Sequence, residues 1–145
     1  MEAQQHKKIT VEAVVNAPRD IVWTLWNSPD DIKQWNHASE DWHTPSAQID
    51  LRPGGKFRFR MEAKNGSTGF DFDGVYKKVQ PWSILSYTIG DGRAVEVHFT
   101  KQGAGTKVTE TFETEQQNPA EMQRAGWQAI LNNFKKYVEG TLKKK

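Results

Sequence analysis

Cysteine is absent from the 145 residues, which removes disulfides, thiolate metal sites and cysteine nucleophiles together. Long apolar runs are absent too. None approaches the roughly 18 to 20 residues that span a bilayer, and the opening MEAQQHKKIT lacks the apolar stretch of a secretory signal. Charge of one sign is scarce: 20 Lys and Arg stand against 18 Asp and Glu, a formal +2, so the balance gives no reason to expect nucleic acid or an anionic membrane as partner. No GxGxxG or GxxxxGKS/T phosphate loop and no HExxH pair is present. No linker or internal repeat divides the chain. The expectation from these absences is a cytoplasmic protein without cofactor, without nucleic acid and without stable membrane association. Monomer and homodimer both stay open.

What is present suits a single packed domain over residues 1–145, with its core between about 9 and 140: 36% of residues are hydrophobic and 11% aromatic. Ile9, Val11, Ala13 and Val15 alternate with more polar neighbours, the period of a strand with one buried face. Pro18 is suited to the first turn of a helix carrying Ile21, Val22, Leu25 and Trp26. Ser28, Pro29 and Asp31 predict a second short helix over about 29–35. Residues 36–47 have no sustained period and read as a connecting loop.

From Gln48 to Glu113, turn signals such as Arg52-Pro53-Gly54-Gly55, Asn65-Gly66 and Gly90-Asp91-Gly92 separate apolar alternations, predicting six consecutive antiparallel strands. Phe57, Phe59 and Met61 alternate with Arg58 and Arg60, and Phe70, Phe72 and Tyr76 with Asp71, Asp73 and Val75, so one sheet face is strongly aromatic. Asn118-Pro119-Ala120-Glu121 predicts a helix start with a capping box. The following helix gathers Trp127, Ile130, Leu131, Phe134, Tyr137 and Val138 on one side. The class is therefore α+β, in the order β-α-α-β6-α, with a curved antiparallel sheet of about seven strands covered by a long C-terminal helix. A sheet curving round one helix leaves space beside it, which makes a ligand cavity a natural product of the architecture.

The order of elements, the PRDIVWTLWNSPDDIKQW opening, the IDLRPGGKFRFRM pair, the FDGVYKKVQP turn and the terminal GWQAILNNFKKYVEG together resemble the activator of heat-shock protein 90 ATPase homologue family, within the START-like or helix-grip superfamily. The resemblance spans about Ile9 to Gly140. It implies a curved sheet gripping the terminal helix round a pocket for a small, largely apolar molecule, and relatives in the superfamily include polyketide cyclases, dehydratases and lipid-transport proteins. The eukaryotic co-chaperone carries a further N-terminal domain, whereas this sequence begins at the shared module. The module, not the whole co-chaperone, is what the likeness implies, with chaperone interaction as a further alternative.

The cavity residues expected are Trp35, Trp42, Phe57, Phe59, Phe72, Trp127, Ile130, Leu131 and Phe134, walls for a small apolar or aromatic molecule. An enzyme of the cyclase or dehydratase type needs an acid or base in that space. Glu110 shares the parity of Val108 and Phe112 and is the inward candidate, its bland alternative being a solvent-wetted strand end; His37 is the other. No nucleophile–base pair is visible, which argues against hydrolysis. His37, His43, Glu40 and Asp41 are of metal-ligand type, but their spacing matches no zinc pattern, so no metal is expected. Arg58 and Arg60 belong to the outer face, opposite Asp71 and Asp73. The basic run Lys143, Lys144, Lys145 suits a helix C-terminus. Gly126, inside the helix, implies either close approach by another backbone or space beside it.

Overall fold

The computed structural model describes residues 7–90 and 92–143. Asp91, Lys144, Lys145 and the side chain of Lys143, invoked above, lie outside the described residues. Strand β1 (Lys8–Val15) is followed by α1 (Arg19–Asn27) and α2 (Pro29–Trp35), then by β2 (Trp42–Ile49), β3 (Lys56–Ala63), β4 (Gly69–Gln80), β5 (Ile84–Ile89), β6 (Ala94–Gln102) and β7 (Gly105–Glu113), and finally by α3 (Ala120–Lys143). The strands form one antiparallel sheet in the order β1-β7-β6-β5-β4-β3-β2. Every neighbour is consecutive in sequence except β1, which returns to pair with β7. This is the expected helix-grip arrangement.

The alternation of the strands decides which face is buried. Ile9, Val11 and Val15 of β1, Val95, Val97 and Phe99 of β6, and Val108 and Phe112 of β7 are all buried on the face that the helices cover, Phe99 against Trp23 and Trp26 of α1 and Phe112 against Trp127 of α3. At about 25 cal/mol per Å² of apolar surface removed from water, this face is the main source of stability. The outward parity carries the charges: the Arg60 guanidinium lies 2.9 Å from Glu62 and 3.5 Å from Asp71, and His98 lies 2.9 Å from Glu96. On α3, Leu131, Phe134 and Val138 are 0% exposed, and the Tyr137 hydroxyl donates to the Asp31 carboxylate, tying α3 to α2.

Three local expectations need correction. Pro18 has φ −65° but ψ 156°, so it precedes α1 as the cap residue and does not open the helix. The presumed loop over 36–47 ends at Trp42, because β2 pairs with β3 from Trp42↔Ala63 onward. Its period is hidden by an irregularity between His43 and Ser46, where Pro45 has no N–H to give the ladder. At α3 the Asn118–Glu121 capping box does not form. Asn118 instead donates to Glu115 (2.6 Å), and Gln123 donates to the Glu115 and Asn118 carbonyls (3.1 and 2.7 Å) while accepting from the Glu115 amide (2.9 Å). Ser28 does cap α2 as expected, accepting from the Asp31 amide.

Candidate functional site

Between the concave face and α3 lies a cavity of about 310 Å³. Trp26, Asn27, Trp35 and Asn36 wall it from α1 and α2. Ile49, Phe57, Phe59, Met61, Phe70 and Phe72 wall it from β2–β4, Tyr76, Leu85 and Tyr87 from β4–β5, and Gln123, Trp127 and Ile130 from α3; Arg93, Glu110 and Glu115 complete the lining. Of the expected wall residues, Trp35, Phe57, Phe59, Phe72, Trp127 and Ile130 are thus brought together here.

The other expected wall residues sit elsewhere. Leu131 and Phe134 are fully buried in the core and outside the lining. They face the part of the concave surface that α1 and α2 close, where Phe134 packs edge-on to Trp26 and Trp35 at 4.9 and 4.8 Å. Trp42 stands one layer behind the lining, 6.0 Å from Phe70, which is 47% exposed. His37 is also outside the lining. Its carbonyl accepts from Asn133 (2.9 Å), its Nδ1 is buried without a hydrogen-bond partner among the described residues, and burial lowers its pKa. His43 is surface-exposed, 3.9 Å from Glu62. Among the described residues there is no cluster of three or more potential metal ligands, and no helix is long and apolar enough to cross a membrane.

Glu110 is the polar residue that dominates the site. It is only 6% exposed, and burial pushes its carboxyl up to about 8. Its parity carries it inward, and α3 closes over the strand, so the solvent-wetted alternative does not hold. Tyr76, read from sequence only as part of the aromatic face, and Tyr87, not singled out by sequence, join it, their rings 6.1 Å apart. Burial raises both phenols, and for Tyr87 the nearby Glu110 and Tyr76 add to the effect. Their parity with Phe72 and with Leu85 was the available signal.

The Arg52-Pro53-Gly54-Gly55 turn has a role in this site. The Gly54 amide donates to the Tyr76 carbonyl (2.8 Å) and the Tyr76 amide to the Gly55 carbonyl (2.9 Å), so the turn fixes the backbone under a lining residue. A Cβ on Gly55 would lie 2.0 Å from the Asp50 carbonyl oxygen, which only glycine avoids. At Gly126 the two alternatives resolve: an added Cβ would meet nothing within 4 Å, so the residue leaves open space and no backbone approaches it.

The family described as activator of Hsp90 ATPase homolog 1-like protein matches residues 16–139. No curated protein matches the chain. The chain is similar to the AHSA1-like protein from Aeromonas hydrophila, known from a solution structure, at 47% identity and TM-score 0.88, covering 93% of this chain and 94% of that one. A protein from Cytophaga hutchinsonii is 51% identical at TM-score 0.80, with 94% of both chains covered. One from Nitrosomonas europaea, 19% identical at TM-score 0.81 over 92% and 95%, shares the fold. An aromatic cavity beneath a gripped helix, the match over residues 16–139 and two relatives near half identity lead to one conclusion: the chain belongs to the activator of Hsp90 ATPase homolog 1-like family.

Proposed function

We propose that the protein holds a small apolar or aromatic molecule in the cavity between α3 and the concave sheet face. The observation that carries this reading is the cavity itself, about 310 Å³ of space lined by Trp26, Trp35, Phe57, Phe59, Phe72 and Trp127. A pocket of this size and lining is the usual form of a small-molecule site. Apolar walls supply affinity; Glu110 and the tyrosyl hydroxyls supply orientation.

Native mass spectrometry of gently purified protein, with a thermal-shift screen of flavonoids, sterols, fatty acids and polyketide-like aromatics, tests the proposal. At 100-fold excess over Kd a ligand adds about 2.7 kcal/mol of stability, and Ile130→Trp, which fills the cavity, should abolish the shift. The absence of both a co-purified mass and a shift across the panel would overturn it.

A second reading, an enzyme of the cyclase or dehydratase type, is favoured by one observation: a buried cavity carboxyl whose pKa of about 8 suits proton transfer near neutral pH. Turnover of a ligand found by the screen, lost in Glu110→Gln, would establish it. Chaperone activation draws support from the family's description alone.

A further inference from the structure

We propose that a surface groove built round Trp82 docks an acidic, extended segment of a partner protein. The groove shares no residue with the cavity lining, and the proposal goes beyond the ligand-holding reading. Its volume is about 390 Å³, and it is lined by Arg19 and Asp20 of α1, Trp82 of the β4–β5 turn, Lys101 of β6 and the β6–β7 turn at Gly103 and Ala104. Trp82 carries the argument. The Ser83 amide donates to the Gln80 carbonyl (3.0 Å), closing a turn with Pro81 in its second position and Trp82 in its third, at φ 70°. Glycine is the residue that suits this position, because a side chain is strained at positive φ, and Trp82 alone among the described residues other than glycine adopts it. Packing does not offset the strain. Trp82 is 50% exposed, and its indole has no ring or hydrogen-bond partner among the described residues. A large aromatic held in a strained turn and displayed to solvent is suited to contact with another molecule, where tryptophan and arginine supply much of the affinity.

The charges beside the indole specify the partner. Arg19 and Lys101 stand on two different elements, and neither makes an ion pair with a described residue. Acids on β1 and α3 are already engaged, Glu12 with Lys107 (3.5 Å) and Glu139 with Lys135 (2.6 Å). The one acid of the lining, Asp20, lies in the first turn of α1, where it complements the positive end of its own helix. Two uncommitted cations next to an indole match carboxylates next to an apolar side chain. The shape favours a chain segment. Trp82, Lys101, Gly103 and Ala104 are all exposed, so the groove is open, and the small residues of the β6–β7 turn let another main chain come close.

The test selects phage-displayed random peptides on the full chain and counter-selects them on Trp82→Gly, a substitution that relieves the turn. The recovered peptides should be rich in Asp and Glu around an apolar residue. A synthetic copy of one should move the Trp82 indole N–H signal in NMR spectra and bind Trp82→Gly about thirtyfold or more weakly, the scale of an interface hot spot. The double variant Arg19→Gln, Lys101→Gln should also bind it more weakly, and raising the salt concentration should weaken its binding to the wild-type chain. Amide spectra report that each variant is folded. Recovery of basic or wholly apolar peptides, of no peptide that depends on Trp82, or of peptides indifferent to the double variant would overturn the proposal. So would Trp82-dependent binding to phosphatidylglycerol vesicles without any peptide, which would give the groove to a membrane, or a dimer in sedimentation that Trp82→Gly dissolves, which would give it to a second copy. The ligand-holding reading stands or falls separately, since its screen reads the cavity.

Discussion

Two aromatic clusters of similar composition occupy the two ends of the concave face, and only one of them encloses space. At the closed end Trp23, Phe99 and Phe134 pack against Trp26 and Trp35, which also wall the cavity and so mark its boundary, with ring centroids 4.8 to 5.8 Å apart, and Phe99 and Phe134 are 1% and 0% exposed. At the open end Phe57 lies 5.0 to 5.9 Å from Phe59, Phe72, Tyr76 and Tyr87, with nearly the same spacing. Spacing between rings therefore does not distinguish core from cavity. What differs is the cover: α1 and α2 press aromatic side chains onto the closed end, whereas the open end meets Trp127, Ile130 and the buried Glu110 carboxyl. Phe112, stacked on Trp127 at 4.1 Å and 7°, lies on the boundary.

This contrast can be broken or sharpened by experiment. Phe134→Ala at the closed end should cost about 3–5 kcal/mol in urea denaturation, the usual result of emptying a filled aromatic site. Phe72→Ala at the open end should cost less than half of that, and equal losses would erase the distinction. The second test is pH. Glu110 has a folded pKa of about 8 against an ordinary value of 4.5. The folded state binds this proton more tightly, so the contribution is complete below pH 4.5 and is lost progressively as pH rises toward 8, then levels off. The total is on the order of 5 kcal/mol, and in Glu110→Gln that slope should disappear. A wild-type stability profile that is flat across this window would place the carboxyl in water.

Ile130→Trp should change stability by less than about 1 kcal/mol because it fills existing space, where the same enlargement in a filled core costs about 1–3 kcal/mol. Leu131→Trp, at the adjacent but closed position, should show that larger cost. The smallest effect belongs to Gly126→Ala, which should stabilise the protein by about 0.5–1 kcal/mol, since the new methyl meets nothing and the helix gains propensity.

Much of this was legible in the residues. Ser28-Pro29 marked α2 because a cap and a proline act locally, and parity carried Glu110 and the phenylalanines to the correct face because a strand's period is two. The start of β2 at Trp42 was hidden because Pro45 and the break at His43 remove the alternation that betrays a strand. Trp127, Ile130, Leu131 and Phe134 share one helix face, and no wheel separates cavity wall from core: that depends on whether α1 and α2 or β3 and β4 lie opposite. The burial of Glu110 was out of reach for the same reason, since it depends on α3 lying across the strand. Tyr87 was missed although its parity with Leu85 was plain, because a tyrosine on a buried face fits a core as readily as a site.

The return of β1 to β7 also has a consequence for the order in which the molecule assembles. Strands β2 to β7 can zip together hairpin by hairpin, each closing a short loop. Ile9↔Phe112 and Val11↔Glu110, by contrast, join positions about a hundred residues apart, and such closures carry the larger entropic cost and tend to come late. Substitutions such as Val11→Ala should then speed unfolding far more than they slow folding in stopped-flow measurements. On a ribosome, the first strand made would be the last to find its place.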